Sequence, residues 1–152
     1  MAEEKTEIRE DETAPDLRHR LNEIAKRLLP ETIAKIASDE VKFKEQDSAQ
    51  ASYCKKIKKE DGLIDLAGDP IINYRKFRAY YGWPSSYFFE EVSADKRGHD
   101  ADSRGKKRKI RIKITEARLE NGRFIIKTII PEGKKEISYQ DFQNPVKTHL
   151  KK

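Results

Sequence analysis

Glu120-Asn121-Gly122-Arg123 constrains this chain more than any other four residues. Asn and Gly tolerate the positive φ angles of a type I′ turn, whose twist matches that of two antiparallel strands. Before the turn, Ile110, Ile112 and Ile114 alternate with Arg111 and Lys113. That period of two predicts a strand with one buried face and one basic face. After it, residues 124–130 place apolar side chains on both faces, which predicts a central strand. A sheet organised by this hairpin is therefore expected in the C-terminal half.

Further elements gather around the hairpin. Residues 86–92 are aromatic and β-branched enough for another strand. Residues 135–137 close the unit, and Ser138 with Asp141 can start a final helical turn containing Phe142. Upstream, Leu63, Ile64 and Leu66 read as a short strand. Asp69 is a helix cap and Pro70 a first helical residue, so a helix is predicted to about Tyr81, where Gly82 and Pro84 stop it. Ile71, Tyr74 and Phe77 form its expected buried face, while Arg75 and Arg78 share another. Trp83, held between Gly82 and Pro84, is expected to anchor a tight turn. Residues 93–107 carry charges and two glycines but almost no apolar side chains, and read as a mobile loop. These elements predict an α+β fold, mainly β, built as a small open barrel.

The N-terminal part has a different pattern. Thr13 and Asp16 form a capping-box pair, and Pro15 fits a first helical turn because its missing N–H needs no partner there. Leu17, Leu21, Ile24 and Leu28 follow as one apolar stripe, and Ile33 and Ile36 continue a helix over residues 14–38. Pro30 should kink or restart it. The stripe needs a covering partner: the barrel, another copy, or a separately encoded half. The expected organisation is an arm and helix at 1–38, a polar linker at 39–60, a β-rich domain at 61–144 and a basic tail at 145–152.

Charge narrows the function classes. The 33 basic and 27 acidic residues leave a net charge of +6, and the charges are segregated. Residues 1–12 are acid-rich, whereas residues 104–113 hold seven basic side chains and no acid. A second basic cluster comprises Lys55, Lys56, Lys58 and Lys59. Such separation favours a polyanion partner. The lone Cys54 permits no internal disulfide and no Cys-x-x-Cys metal site, which suits a reducing compartment. No apolar run is long enough for a membrane span, and the acidic N-terminus lacks a signal-peptide core, so a cytoplasmic location is expected. Neither a P-loop nor a Gly-x-Gly-x-x-Gly turn occurs. His19, His99 and His149 lie far apart in the sequence and read as surface residues. Glu90-Glu91 and Glu60-Asp61 sit among charged neighbours and read as a solvated face rather than as acid/base pairs.

An ordered set of motifs points to a family. Lys58-Lys59-Glu60-Asp61-Gly62-Leu63-Ile64-Asp65 is followed by Arg78-Ala79 and then by Trp83-Pro84. This set resembles the carboxy-terminal domain of methionyl-tRNA formyltransferases, although Leu66 stands where the family has an aromatic. Ile8, the run from Asp11 to Leu17 and Arg20-Leu21 are similar to the end of the family's catalytic domain. Gln46-Asp47 and Ala51-Ser52-Tyr53 are similar to its linker. Lys109-Ile110, the run from Pro131 to Lys135, Ser138 and Asp141-Phe142 are similar to its closing strands.

The resemblance implies an oligonucleotide/oligosaccharide-binding-like (OB-like) barrel. It also implies a role in translation initiation and initiator methionyl-tRNA as partner. In the family, formyl transfer from 10-formyltetrahydrofolate belongs to an amino-terminal half with an Asn-His-Asp set and a His-Pro-Ser segment. None of the three histidines here precedes Pro-Ser, so the resemblance implies a relative without that catalytic site, without a cofactor or metal of its own, and inactive alone. The family's usual extra strand pair before the Gly-Lys-Lys segment has no counterpart, which implies an abridged barrel. Candidate phosphate contacts are Lys55, Lys56, Lys58, Lys59, Arg75, Arg78, Lys106, Lys107, Arg108, Lys109, Arg111 and Lys113, with Lys134 and Lys135 as weaker ones. Two other readings stay open: a subunit of a split formyltransferase, and a relative of the sugar-nucleotide formyltransferases that does not bind RNA.

Overall fold

The structure is a computed structural model and describes residues 2–41, 43, 45–93 and 107–144. The chain divides into two compact units, Met1–Ile57 and Lys58–Lys152.

The first unit is built on helix α1, Ala14–Ala37. Its N-terminus closes as the sequence predicts: the Asp16 carboxylate accepts from the Thr13 N–H at 3.0 Å and from the Thr13 hydroxyl at 2.5 Å. Pro30 does not restart the helix, which runs through it. One proline removes a single ladder donor, and the other bonds of a long helix outweigh that loss. Near this point the Thr32 hydroxyl donates to the Leu28 carbonyl at 2.7 Å. Beyond the C-terminus Asp39 takes a left-handed conformation (φ 56°), and the Glu40 N–H returns to the Lys35 carbonyl at 3.0 Å.

Two arginines of α1 hold the N-terminal arm. Arg27 reaches both Glu4 oxygens at 2.7 and 2.6 Å. Arg20 donates to both Glu12 oxygens at 2.8 Å and also to the Thr6 hydroxyl and the Glu7 carbonyl. The stripe predicted from the sequence is covered only in part: Leu17, Ile24 and Leu28 are half-buried, whereas Leu21, Leu29, Ile33 and Ile36 are exposed.

The Glu12–Arg20 pair gives this unit an acid sensitivity. Hydrogen bonding to Arg20, with a smaller backbone contribution from Arg9, lowers the Glu12 carboxyl from its ordinary 4.5 to about 2. A carboxyl depressed in the folded state stabilises it above the unfolded value, and that contribution disappears as pH falls from 4.5 toward 2. A carbon-detected NMR titration should place the Glu12 midpoint near 2, and Arg20→Gln should return it toward 4.5. An ordinary midpoint in the wild type would show that the arm is not held this way.

The second unit is a four-stranded antiparallel sheet in the order β1-β2-β3-β4. Its strands are β1 Tyr87–Ser93, β2 Lys107–Glu120, β3 Arg123–Pro131 and β4 Ile137–Ser138. The β2–β3 hairpin turns at Asn121 (φ 51°) and Gly122 (φ 73°), both positive as a type I′ turn requires. β3 lies between β2 and β4, the interior position expected from its two-sided apolar pattern. Ile110, Ile112 and Ile114 are buried on one face of β2. A register shift around Thr115 and Glu116 then brings Ala117 back to that face, opposite Ile126. Helix α2, Pro70–Ala79, and the short helix α3, Tyr139–Gln143, cover this face through Phe77, Tyr74, Tyr139 and Phe142. The Ser138 hydroxyl caps α3 by accepting from the Asp141 N–H at 3.0 Å.

Three local expectations are corrected. Leu63 and Ile64 form only an isolated parallel bridge to Tyr87, with no strand, because a single backbone bond of 2.8 Å joins them to β1. Asp69 does cap α2, accepting from the Ile71 and Ile72 amides, but Ile71 is exposed and Asn73 is buried in its place. The Asn73 side chain donates to the Asp65 carbonyl at 2.7 Å, so a polar contact sets the inward face of the first turn. Trp83 is 61% exposed, and the turn is anchored instead by the buried Pro84, Ser85 and Ser86. Ser85 donates from its amide to the Tyr80 carbonyl at 3.1 Å and from its hydroxyl to the Gly82 carbonyl at 2.6 Å. These bonds fix the turn without burial of the indole. The loop and tail expected at 93–107 and 145–152 lie almost wholly outside the described residues.

Gly62 is buried where the chain passes this turn. A Cβ there would overlap the Ser85 carbonyl oxygen and stand 3.2 Å from its carbon. The obstacle is backbone, which cannot rotate away. Gly62→Ala is therefore expected to cost roughly 1–3 kcal/mol in chemical denaturation, the usual range for overpacking. An unchanged midpoint would show that the 62–85 contact is not tight.

Candidate nucleic-acid interface

Strand alternation makes this site. With the isoleucines of β2 directed to the core, Lys107, Lys109, Arg111 and Lys113 fall on the opposite face. Successive members of this row are about 6.6 Å apart, twice the rise of a strand. Lys107, Lys109 and Lys113 are exposed, and Arg111 is half-buried.

The cause of that burial lies on β1. Tyr87 pairs with Lys113, Phe89 with Arg111 and Glu91 with Lys109, so all three β1 residues share the basic face. The cations lean diagonally past these partners. The Arg111 guanidinium lies 3.7 Å from the Tyr87 ring centroid, and the Lys109 ammonium 5.0 Å from that of Phe89. The two rings meet edge to face at 5.5 Å. Tyr87 is buried under this arrangement, while Phe89 remains 41% exposed. Cation–π contact of this kind contributes about 0.5–2 kcal/mol and restricts the long cationic side chains.

Acidic neighbours are few. Lys107 approaches Glu91 at 3.7 Å, with both side chains largely exposed, an arrangement worth little in water. Glu132 clips the strand end instead. Its N–H donates to the Arg111 carbonyl at 2.9 Å, and its carboxylate accepts from the Arg111 N–H at 3.2 Å. Among the described residues no carboxylate lies within ion-pair distance of Lys109, Arg111 or Lys113. The face is suited to binding an anion along a line.

The other predicted contacts are not gathered here. Lys106 lies outside the described residues. Arg108 alternates onto the isoleucine side of β2. Arg75 and Arg78 sit on α2, which packs against the core face, and the Arg78 guanidinium lies 5.2 Å from the Tyr74 ring centroid. Lys58 and Lys59 are exposed at a short 3-10 turn, Lys59–Gly62. Lys134 and Lys135 are exposed in the turn after β3. Lys55 and Lys56 are exposed in the first unit. Sequence reasoning missed Tyr87 and Phe89. Their spacing of two was visible, but Phe88 between them left the outward face undecided until the β1–β2 register was known.

His19, exposed on α1, is the one histidine among the described residues. Buried Asn73 and Ser85 are bound to backbone carbonyls, and Glu12 to Arg20. Among the described residues no group of three or more His, Cys, Asp or Glu is placed to hold a metal ion. None of their helices is long and apolar enough to cross a membrane.

No family model matches the chain. Individual relatives do. The methionyl-tRNA formyltransferase of Coxiella burnetii (strain RSA 331 / Henzerling II) is 34% identical over 91 residues, 60% of this chain and 29% of the relative. That of Citrifermentans bemidjiense is 34% identical over 89 residues, 59% of this chain and 28% of the relative. That of Chloroflexus aggregans is 44% identical over 62 residues, 41% of this chain and 20% of the relative. The matched stretch is thus under a third of the length of these relatives. By sequence, this chain is a relative of a part of the methionyl-tRNA formyltransferases.

Proposed function

We propose that this chain is the tRNA-binding module of a methionyl-tRNA formyltransferase-like protein, with an OB-like, abridged barrel of the carboxy-terminal type. It supports formylation of initiator methionyl-tRNA in the cytoplasm and leaves the transfer itself to residues outside these 152. The observation that carries this reading is the row Lys109, Arg111 and Lys113 on the face of β2 away from the core, two of its cations held over aromatic rings. Long cationic side chains along a strand neutralise phosphates without reading bases. Similarity to methionyl-tRNA formyltransferases supports tRNA as the polyanion. Binding of tRNA across a range of salt, in the wild type and in a variant without the row, tests the reading.

A further inference from the structure

Phosphate binding uses the charges of this face but leaves one feature unexplained. Phe89 is a large apolar ring, 41% exposed, on β1 beside the cationic row of β2. Its neighbour Phe88 fills the core and is 2% exposed, so strand alternation holds Phe89 outward. The Tyr87 ring lies edge to face against it, and the Lys109 ammonium sits near its centroid. This ring is therefore fixed in place, partly open, and flanked by groups that attract a nucleic-acid backbone. Sequence-tolerant single-strand sites combine the same two parts, a basic track and an aromatic platform on which a base stacks. Duplex RNA offers no free base face to such a platform.

We propose that Phe89 stacks an unpaired nucleobase, so that the basic face of β2 takes a single-stranded segment of RNA in preference to a duplex. The proposal rests on the phosphate-binding reading and adds a substrate class to it. Lys109 and Arg111 position the backbone beside Phe89, and the stack adds affinity without adding salt dependence, because no counterion is released by a neutral contact.

The test uses the full chain and two probes: a short single-stranded RNA carrying 2-aminopurine, and a blunt duplex of the same length. Wild type should quench the 2-aminopurine on binding and should bind the single strand more tightly than the duplex. Phe89→Leu keeps an apolar side chain beside Tyr87, which guards the fold. It should abolish the quench and weaken single-strand binding roughly 5- to 100-fold, the loss of about one base–aromatic stack. Its salt slope should not move, because no charge is removed, single-strand affinity should fall more than duplex affinity, and Phe89→Tyr should restore quenching. If Phe89→Leu quenches and binds the single strand as wild type does, the stacking proposal is overturned while the phosphate reading stands. If wild type prefers the duplex, the substrate class is wrong. If wild type binds neither probe at low salt, the phosphate reading itself fails.

Discussion

Replacing Ile112 by alanine is expected to remove roughly 2–5 kcal/mol of stability, the range for truncating a fully buried aliphatic side chain. Ile112 is 0% exposed and lies in the cluster formed by Phe77, Phe88, Ile114 and Ile129. It sits on an interior strand, flanked by Phe88 on β1 and Pro131 on β3, so neither side of the gap can collapse into solvent. The next residue supplies the control. Lys113 is exposed on the opposite face, and Lys113→Ala should change stability by less than about 1 kcal/mol, as surface substitutions usually do. The pair separates folding from binding within one dipeptide. Urea denaturation reads the stability of both variants. Equal losses would mean that β2 does not divide its residues between core and ligand face.

A second large effect is expected in RNA binding. Changing Lys109, Arg111 and Lys113 together to Gln removes the three cations that have no described carboxylate within ion-pair distance. Each phosphate that a cation neutralises contributes roughly −0.7 to −0.9 to the slope of log affinity against log salt, so the slope should flatten by about two to three units. The weakening should be uniform across RNA sequences, since these contacts do not read bases. Arg111 also covers Tyr87, and losing that contact should cost about 0.5–2 kcal/mol of stability. Lys109→Gln with Lys113→Gln leaves that cover in place. It loses only the Lys109 contact with the partly exposed Phe89 ring, so its denaturation midpoint should fall less than that of the triple variant while the slope still flattens by about 1.4–1.8 units.

The features legible in the sequence are those set by local chemistry. Asn121-Gly122 fixes its turn through the φ angles it tolerates. Asp69 marks a helix start through its own carboxylate and Thr13 through the Asp16 carboxylate that accepts from it, and the isoleucines of β2 reveal its buried face by spacing alone. What was not legible depends on partners distant in the chain. Asn73 displaces Ile71 from the inward face because the Asp65 carbonyl awaits it, a contact that no helical pattern announces. Trp83 is exposed because Ser85 ties the turn to Tyr80 and Gly82. The register shift at Thr115 and Glu116, which returns Ala117 to the core, has no signature in composition. At the candidate site the charges could be read, but their aromatic supports could not. The β1–β2 pairing sets Tyr87 and Phe89 among the cations, and it joins residues about twenty positions apart across a segment with no turn motif. Charge counting also grouped Arg108, Arg75 and Arg78 with the row, although alternation and helix packing place them elsewhere.

The most direct test of the central claim is the affinity of the full chain for tRNA, measured from low to moderate salt beside that of the Lys109, Arg111 and Lys113 to Gln variant. The expected result is binding at low salt that weakens steeply as salt rises, with a slope shallower by about two to three units in the variant. A wild type that does not bind tRNA at low salt, or a folded variant that binds with an unchanged slope, would contradict it.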